Sequence, residues 1–93
     1  MGEDLLKGKS LESAARDIAD GYVFVNPIYL KRFEQDKVKA LLSAISKIMT
    51  LVRNEKFPTG DVEAIKKRNM RLSRLNTANT VIRHFAKERR WIL

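Results

Sequence analysis

Lys67, Arg71 and Arg74 stand at i, i+4 and i+7 of a stretch with no Pro or Gly, and Lys66 sits beside them. On a helix that spacing places one positive group about every 5–6 Å along one side of a rod. Phosphates along a nucleic-acid strand are separated by a comparable distance, so the rod can neutralise several of them. Asn69, Ser73, Asn76 and Thr77 lie close by and can add neutral hydrogen bonds to phosphate or sugar. Lys87, Arg89 and Arg90 extend the cationic surface toward the end of the chain. The bland reading is a solvated helix face filled with good helix formers. Arg68 differs from its neighbours: its angle falls on the apolar face, where it is expected to snorkel or meet a carboxylate. No recognition-helix motif accompanies the cations, so sequence-specific base reading is not expected.

Other candidate chemistry is thinner. His84 is the only histidine and there is no cysteine, so a conventional zinc site is not expected. His84 to Lys87 has the His-x-x-Lys spacing of helical phosphotransfer domains. Glu88 follows that lysine, however, where a small residue is needed to admit a partner, and the reading is set aside. Asp17 and Asp20 are spaced i, i+3, but no apolar pocket is evident to shift a carboxylate toward acid–base work. They read as an acidic face that meets a basic helix of the same or a neighbouring chain. Gly-rich phosphate loops, metal spacings and a Ser/His/Asp order do not occur. An enzyme is not expected, and no cofactor is implied.

The charge distribution supports an oriented contact. Nine Lys/Arg against three Asp/Glu between Asp61 and Leu93 put +6 of the formal +8 into the last third, while residues 1–20 carry −2. A basic stripe on a helix is the usual footprint of a polyanion partner. The absence of cysteine excludes disulfides and fits a cytoplasmic protein. The acidic start, Met1 to Asp4, does not read as a signal peptide, and Leu6 stands where a myristoylation motif needs Ser or Thr. No apolar run approaches the roughly 20 residues of a membrane span, so a membrane partner is not expected.

The elements that must position these side chains read as all-α. Ninety-three residues make one small domain. A short helix is expected over about 10–20, with Ser10 as its N-cap and Gly21 as its left-handed C-terminal cap. Tyr22-Val23-Phe24-Val25 is the only β-like run; without a partner strand it reads as an extended connector over 22–25 whose aromatics pack on the helices. Asn26-Pro27 restarts a helix over about 27–54. Its stripe is Val38, Leu41, Leu42, Ile45, Ile48, Met49 and Val52. Tyr29 and Phe33 are out of phase with that stripe, which points to a break near 34–36 with Asp36 as a fresh cap. Phe57-Pro58 ends the helix, and Thr59 caps another over about 60–90. Its apolar face is Ile65, Leu72, Leu75, Ala78, Ile82, Phe85 and Ala86. Two helices of similar length, one stripe each and a linker of about five residues predict an antiparallel αα-hairpin. A hairpin that leaves its seam open would pair with a second copy into a four-helix bundle. A helix-turn-helix is set aside, because Asn26-Pro27 restarts too late for its short turn.

Two functions follow. The leading one is a non-enzymatic accessory or regulatory protein that binds DNA or RNA through phosphate contacts by Lys66, Lys67, Arg71, Arg74, Lys87, Arg89 and Arg90. The alternative is a protein–protein interaction module, a homodimer or a subunit of a larger assembly, that docks its apolar seam without nucleic acid. Tyr22, Phe24, Trp91 and Ile92 are the candidate interface residues. Trp91, beside Arg89 and Arg90, can instead stack on a base, but a structural or interface use is expected.

Overall fold

The computed structural model describes residues 11–56 and 60–92. Four helices occur among them: α1 (Leu11–Ala19), α2 (Pro27–Leu30), α3 (Gln35–Arg53) and α4 (Val62–Glu88). The described residues are otherwise turns and loops, and the fold is all-α. Ser10, Phe57, Pro58 and Thr59, assigned capping or helix-ending roles above, lie outside the described residues.

α1 packs on α3 and α4 through Ala14, Ala15, Ile18 and Ala19, all buried. Three alanines on that face let the helix axes approach closely. The helix closes with a Schellman motif: the Gly21 N–H donates to the Ile18 carbonyl (3.2 Å) and the Tyr22 N–H to the Asp17 carbonyl (2.9 Å). Gly21 has φ +84°, the left-handed geometry that the motif requires. The following segment alternates. Val23 is half-buried and Val25 buried, while Tyr22 and Phe24 are each 80 % exposed. The expectation that the connector's aromatics pack on the helices is therefore corrected: the valines take the core and the aromatics face water.

Asn26 caps α2 by accepting from the Tyr29 N–H at 2.8 Å, with Pro27 in the first turn. α2 then stops after one turn. Leu30 is fully buried, and the chain leaves the helix through residues 31–34. Tyr29 and Phe33 meet edge to face at 5.2 Å across this turn. The phase change in the sequence is thus a stop and a restart. Glu34, in extended geometry and without a side-chain cap bond, precedes α3, and Asp36 lies inside its first turn rather than capping it.

α3 buries Val38, Leu41, Leu42, Ala44, Ile45, Ile48 and Val52, with Met49 half-buried. α4 begins at an Asp61 cap, whose Oδ1 accepts from the Ala64 N–H at 3.0 Å. The two helices are unequal. α3 has 19 residues and α4 has 27, or about 28 and 40 Å at 1.5 Å per residue. Two contacts fix their overlap: Gln35 at the start of α3 donates to the Ile92 carbonyl (3.2 Å), and Glu55, just past its end, pairs with Arg71 (2.7 Å). α4 accordingly extends past the end of α3. Its buried residues are Leu75, Ala78, Ile82, Phe85 and Ala86, and none lies between Val62 and Arg74. Ile65, expected on the core face, is 37 % exposed because α3 does not reach it.

On the outside, Lys47 of α3 pairs with Glu12 of α1. That hydrogen bond, with the charge of the same ammonium, holds the Glu12 carboxyl below its ordinary pKa. At the far end α4 closes with a second Schellman motif: the Arg90 N–H donates to the Lys87 carbonyl (3.0 Å) and the Trp91 N–H to the Ala86 carbonyl (2.9 Å). Here the left-handed residue is Arg90, at φ +59°. Trp91 lies edge to face against Phe85 at 5.7 Å, the apolar contact that accompanies such a cap.

Three outcomes follow. A non-glycine residue in left-handed geometry costs roughly 1 kcal/mol, so Arg90→Gly is expected to raise the melting temperature by about 4–8 °C in thermal denaturation. Ile82→Ala removes a fully buried side chain and is expected to cost about 2–5 kcal/mol in urea titration. Ile65→Ala, on the turns past α3, should cost less than about 1 kcal/mol in the same assay.

Candidate nucleic-acid interface

α4 carries its first cations on the turns that are not buried, and the end of α1 is held against them. Lys67, Arg71 and Arg74 line one groove of about 620 Å³, together with Ala64 and Met70 of the same helix. Asp20 and Tyr22, from the turn that closes α1, complete its lining. The i, i+4, i+7 spacing gives the three cations a common side, and the Schellman turn brings the aromatic ring and the carboxylate to them.

The cations are not equivalent. Arg74 Nη1 donates to the Ala19 carbonyl at 3.0 Å. This carbonyl belongs to the last turn of α1, where acceptors lack intrahelical donors and a positive charge is favoured by the helix dipole. The guanidinium therefore caps α1 from another helix. A Cβ on Gly21 would lie 3.1 Å from Arg74 Cζ, a tight contact that the guanidinium would relieve by a small shift, whereas the φ itself favours glycine. Arg71 Nη2 donates to both carboxylate oxygens of Glu55, at 2.7 and 3.0 Å. Half-buried Arg71 and Arg74 are thus committed to the fold while lining the groove. Lys66 and Lys67 are exposed. Arg68 is half-buried.

A second cavity of about 260 Å³ shares Arg74 with the first. Gly21, Val23 and Phe24 line it from the loop, and Ser73, Thr77 and Ala78 from α4. Both cavities lie along the flank of α4 and share Arg74 in their linings, a track of two separate hollows. Lys87, Arg89 and Arg90 are not part of it. Twenty residues separate Lys67 from Lys87, about 30 Å along the helix. At that far end the Arg89 guanidinium lies 4.3 Å from the Phe85 ring centroid and 5.6 Å from that of Trp91. Trp91 is half-buried against its own core. Ile92 is 88 % exposed, although its carbonyl accepts from Gln35.

Sequence reasoning found the side on which Lys67, Arg71 and Arg74 gather. It missed that Tyr22 and Phe24 stand along the same track, and that Glu55 and the Ala19 carbonyl hold two of the arginines. Only the out-in alternation of residues 22–25 hints at the first. The second depends on tertiary contacts 16 and 55 residues apart in sequence, for which there is no local signal. His84 is exposed and 3.6 Å from Glu88, one turn on. Among the described residues no three His, Cys, Asp or Glu side chains are grouped to hold a metal, and no helix is long and apolar enough to cross a membrane.

By fold and site, this is a small helical protein with a cationic, aromatic-edged groove. No protein-family model matches the chain, and neither a curated protein nor a solved structure matches it.

Arg74→Ala is expected to lower stability by about 1.5–3 kcal/mol through the lost charge-assisted bond to Ala19. Gly21→Ala should cost at least about 1 kcal/mol from backbone geometry alone. Since a Cβ at Gly21 would press on the Arg74 guanidinium, removing that guanidinium relieves the contact, and the double variant should be less destabilised than the sum in denaturant titration.

Proposed function

We propose that this chain is a non-enzymatic nucleic-acid-binding protein, an accessory or regulatory subunit that engages the phosphate backbone through the flank of α4. The observation that carries the reading is the groove that gathers Lys67, Arg71 and Arg74 on turns of α4 free of buried residues. Arg71 and Arg74 are held in place by Glu55 and Ala19, so they meet a ligand pre-oriented and lose little side-chain freedom on binding. Lys66 and Lys67 supply mobile charge beside them. Asp20, in the same lining, tempers the field.

The scaffold under this reading is a single small domain built on an antiparallel αα-hairpin of α3 and α4, with α1 laid across the seam. The pairing of Gln35 with Ile92, and of Glu55 with Arg71, supports opposite helix directions.

The test is binding to DNA and RNA oligonucleotides across a salt series. Each phosphate contact contributes roughly 0.7–0.9 to the slope of log affinity against log salt. Lys66→Glu with Lys67→Glu changes exposed side chains only, so the fold is expected to survive while the slope falls by roughly 1.4–1.8. Asp20→Asn should tighten binding. Flat salt dependence, or binding indifferent to the double charge reversal, would overturn the reading.

A second reading rests on a different observation. Val62 and Met70, on the turns of α4 beyond α3, are 66 % and 51 % exposed, and Ile65 lies with them. A second copy could cover these turns, as in a four-helix bundle, or a larger protein partner could dock there. Sedimentation equilibrium separates the readings: a monomer at all concentrations counts against self-association, and a dimer is compatible with both functions.

A further inference from the structure

We propose that the track beside α4 takes a single-stranded nucleic acid, with Tyr22 and Phe24 as stacking platforms for unpaired bases. The inference rests on the phosphate-binding reading and adds to it the strandedness of the ligand and the residues that recognise it.

Three observations carry it. First, Tyr22 and Phe24 are large aromatic side chains left 80 % in water, although the same segment buries Val23 and Val25. Burying an aromatic ring is strongly favourable, so two exposed rings on one short segment form a surface that an apolar or π-faced ligand would cover. Second, Tyr22 lines the cavity that holds Lys67 and Arg71, Phe24 lines the adjoining one, and Arg74 is common to both. Each ring therefore has a cation beside it. Third, the hydroxyl-bearing Ser73 and Thr77 line the cavity next to Phe24, where they can bond sugar or phosphate oxygens.

Alternation of cations with aromatic faces is the arrangement that binds unpaired strands, because every base has a π-face and every nucleotide a phosphate. A duplex hides its base faces within the stack and could offer this track only phosphates. From Lys67 to Thr77 the flank runs about 15 Å at 1.5 Å per residue, the reach of a few nucleotides. Trp91 does not take part, since its ring is packed on Phe85 at the opposite end of α4.

The experiment is fluorescence anisotropy of the full chain with a labelled single-stranded oligonucleotide, its duplex and inorganic polyphosphate, each across a salt series. The single strand should bind at least about tenfold tighter than either control. Tyr22→Ala and Phe24→Ala should each weaken single-strand binding roughly tenfold, the effect of losing one stacked base, and leave the salt slope unchanged. Tyr22→Phe keeps a ring and should retain the affinity. Both side chains are exposed, and circular dichroism checks that the variants stay folded. Equal, salt-dependent binding of all three ligands that is indifferent to both alanine variants would overturn the stacking inference and leave the phosphate reading standing. Absence of salt-dependent binding to any of them would overturn both.

Discussion

The apolar seam sets the terms for everything else, because along α4 it can run only as far as α3 lies beside it. α3 ends beside Arg71, so the seam claims α4 only from about Leu72 onward. Before that point the half-buried positions of α4 are Ala64, Arg68 and Arg71, and none is fully buried. A continuous apolar stripe there would have faced water. Long cationic side chains satisfy the position differently: their stems cover neighbouring apolar surface while their charges reach solvent or a partner. The basic groove and the limited core are two consequences of one mismatch in helix length.

The same mismatch couples site to stability. Arg74 caps the carbonyl end of α1, and Arg71 pairs with Glu55 beyond the end of α3. These two contacts fasten the elements that flank the bare part of α4. The Arg71–Glu55 pair is partly exposed, and such pairs contribute about 0–1 kcal/mol, so its main effect is to fix geometry. Bonding to the Ala19 carbonyl contributes more, since it satisfies a helix-end acceptor with an ionised donor. Exposed Lys66 and Lys67 carry charge without these duties. Charge on this surface can therefore be tuned at the lysines with little effect on the fold, whereas the arginines cannot change without loosening α1 or the end of α3.

How much was legible in the sequence depended on whether the signal was local. The α3 stripe from Val38 to Val52 follows from period alone, and Gly21 marks the end of α1 because few other residues adopt its φ. The phase shift of Tyr29 and Phe33 shows that the helix is interrupted. It does not show where, because a full stop after Leu30 and a kink near Asp36 shift the phase similarly. Helix length was misjudged for that reason, and Ile65 with it. On α4 the cationic side was legible from spacing, but its partners were not. Glu55 and the Ala19 carbonyl reach it only through tertiary packing. Trp91 beside two arginines resembles a stacking site in sequence, yet the left-handed turn at Arg90 folds its ring back onto Phe85.

The cations from Lys66 to Arg74 and those from Arg83 to Arg90 form two sets, and that turn shapes the second. Closing the helix over Phe85 and Trp91 sets the Arg89 guanidinium near both rings, within the range of cation–π attraction. Part of its charge is thereby directed at its own chain. Lys87 and Arg90 remain exposed nearby, about 30 Å from Lys67 along the helix. At physiological salt the Debye length is about 8 Å, so the two sets do not reinforce each other's field. A short ligand meets one set or the other, and the set near Lys67 stands beside exposed aromatics and a groove. The formal +6 of this segment therefore overstates what any short ligand experiences. A polyanion long enough to span both sets would gain from a second, separate contact rather than from a single larger field.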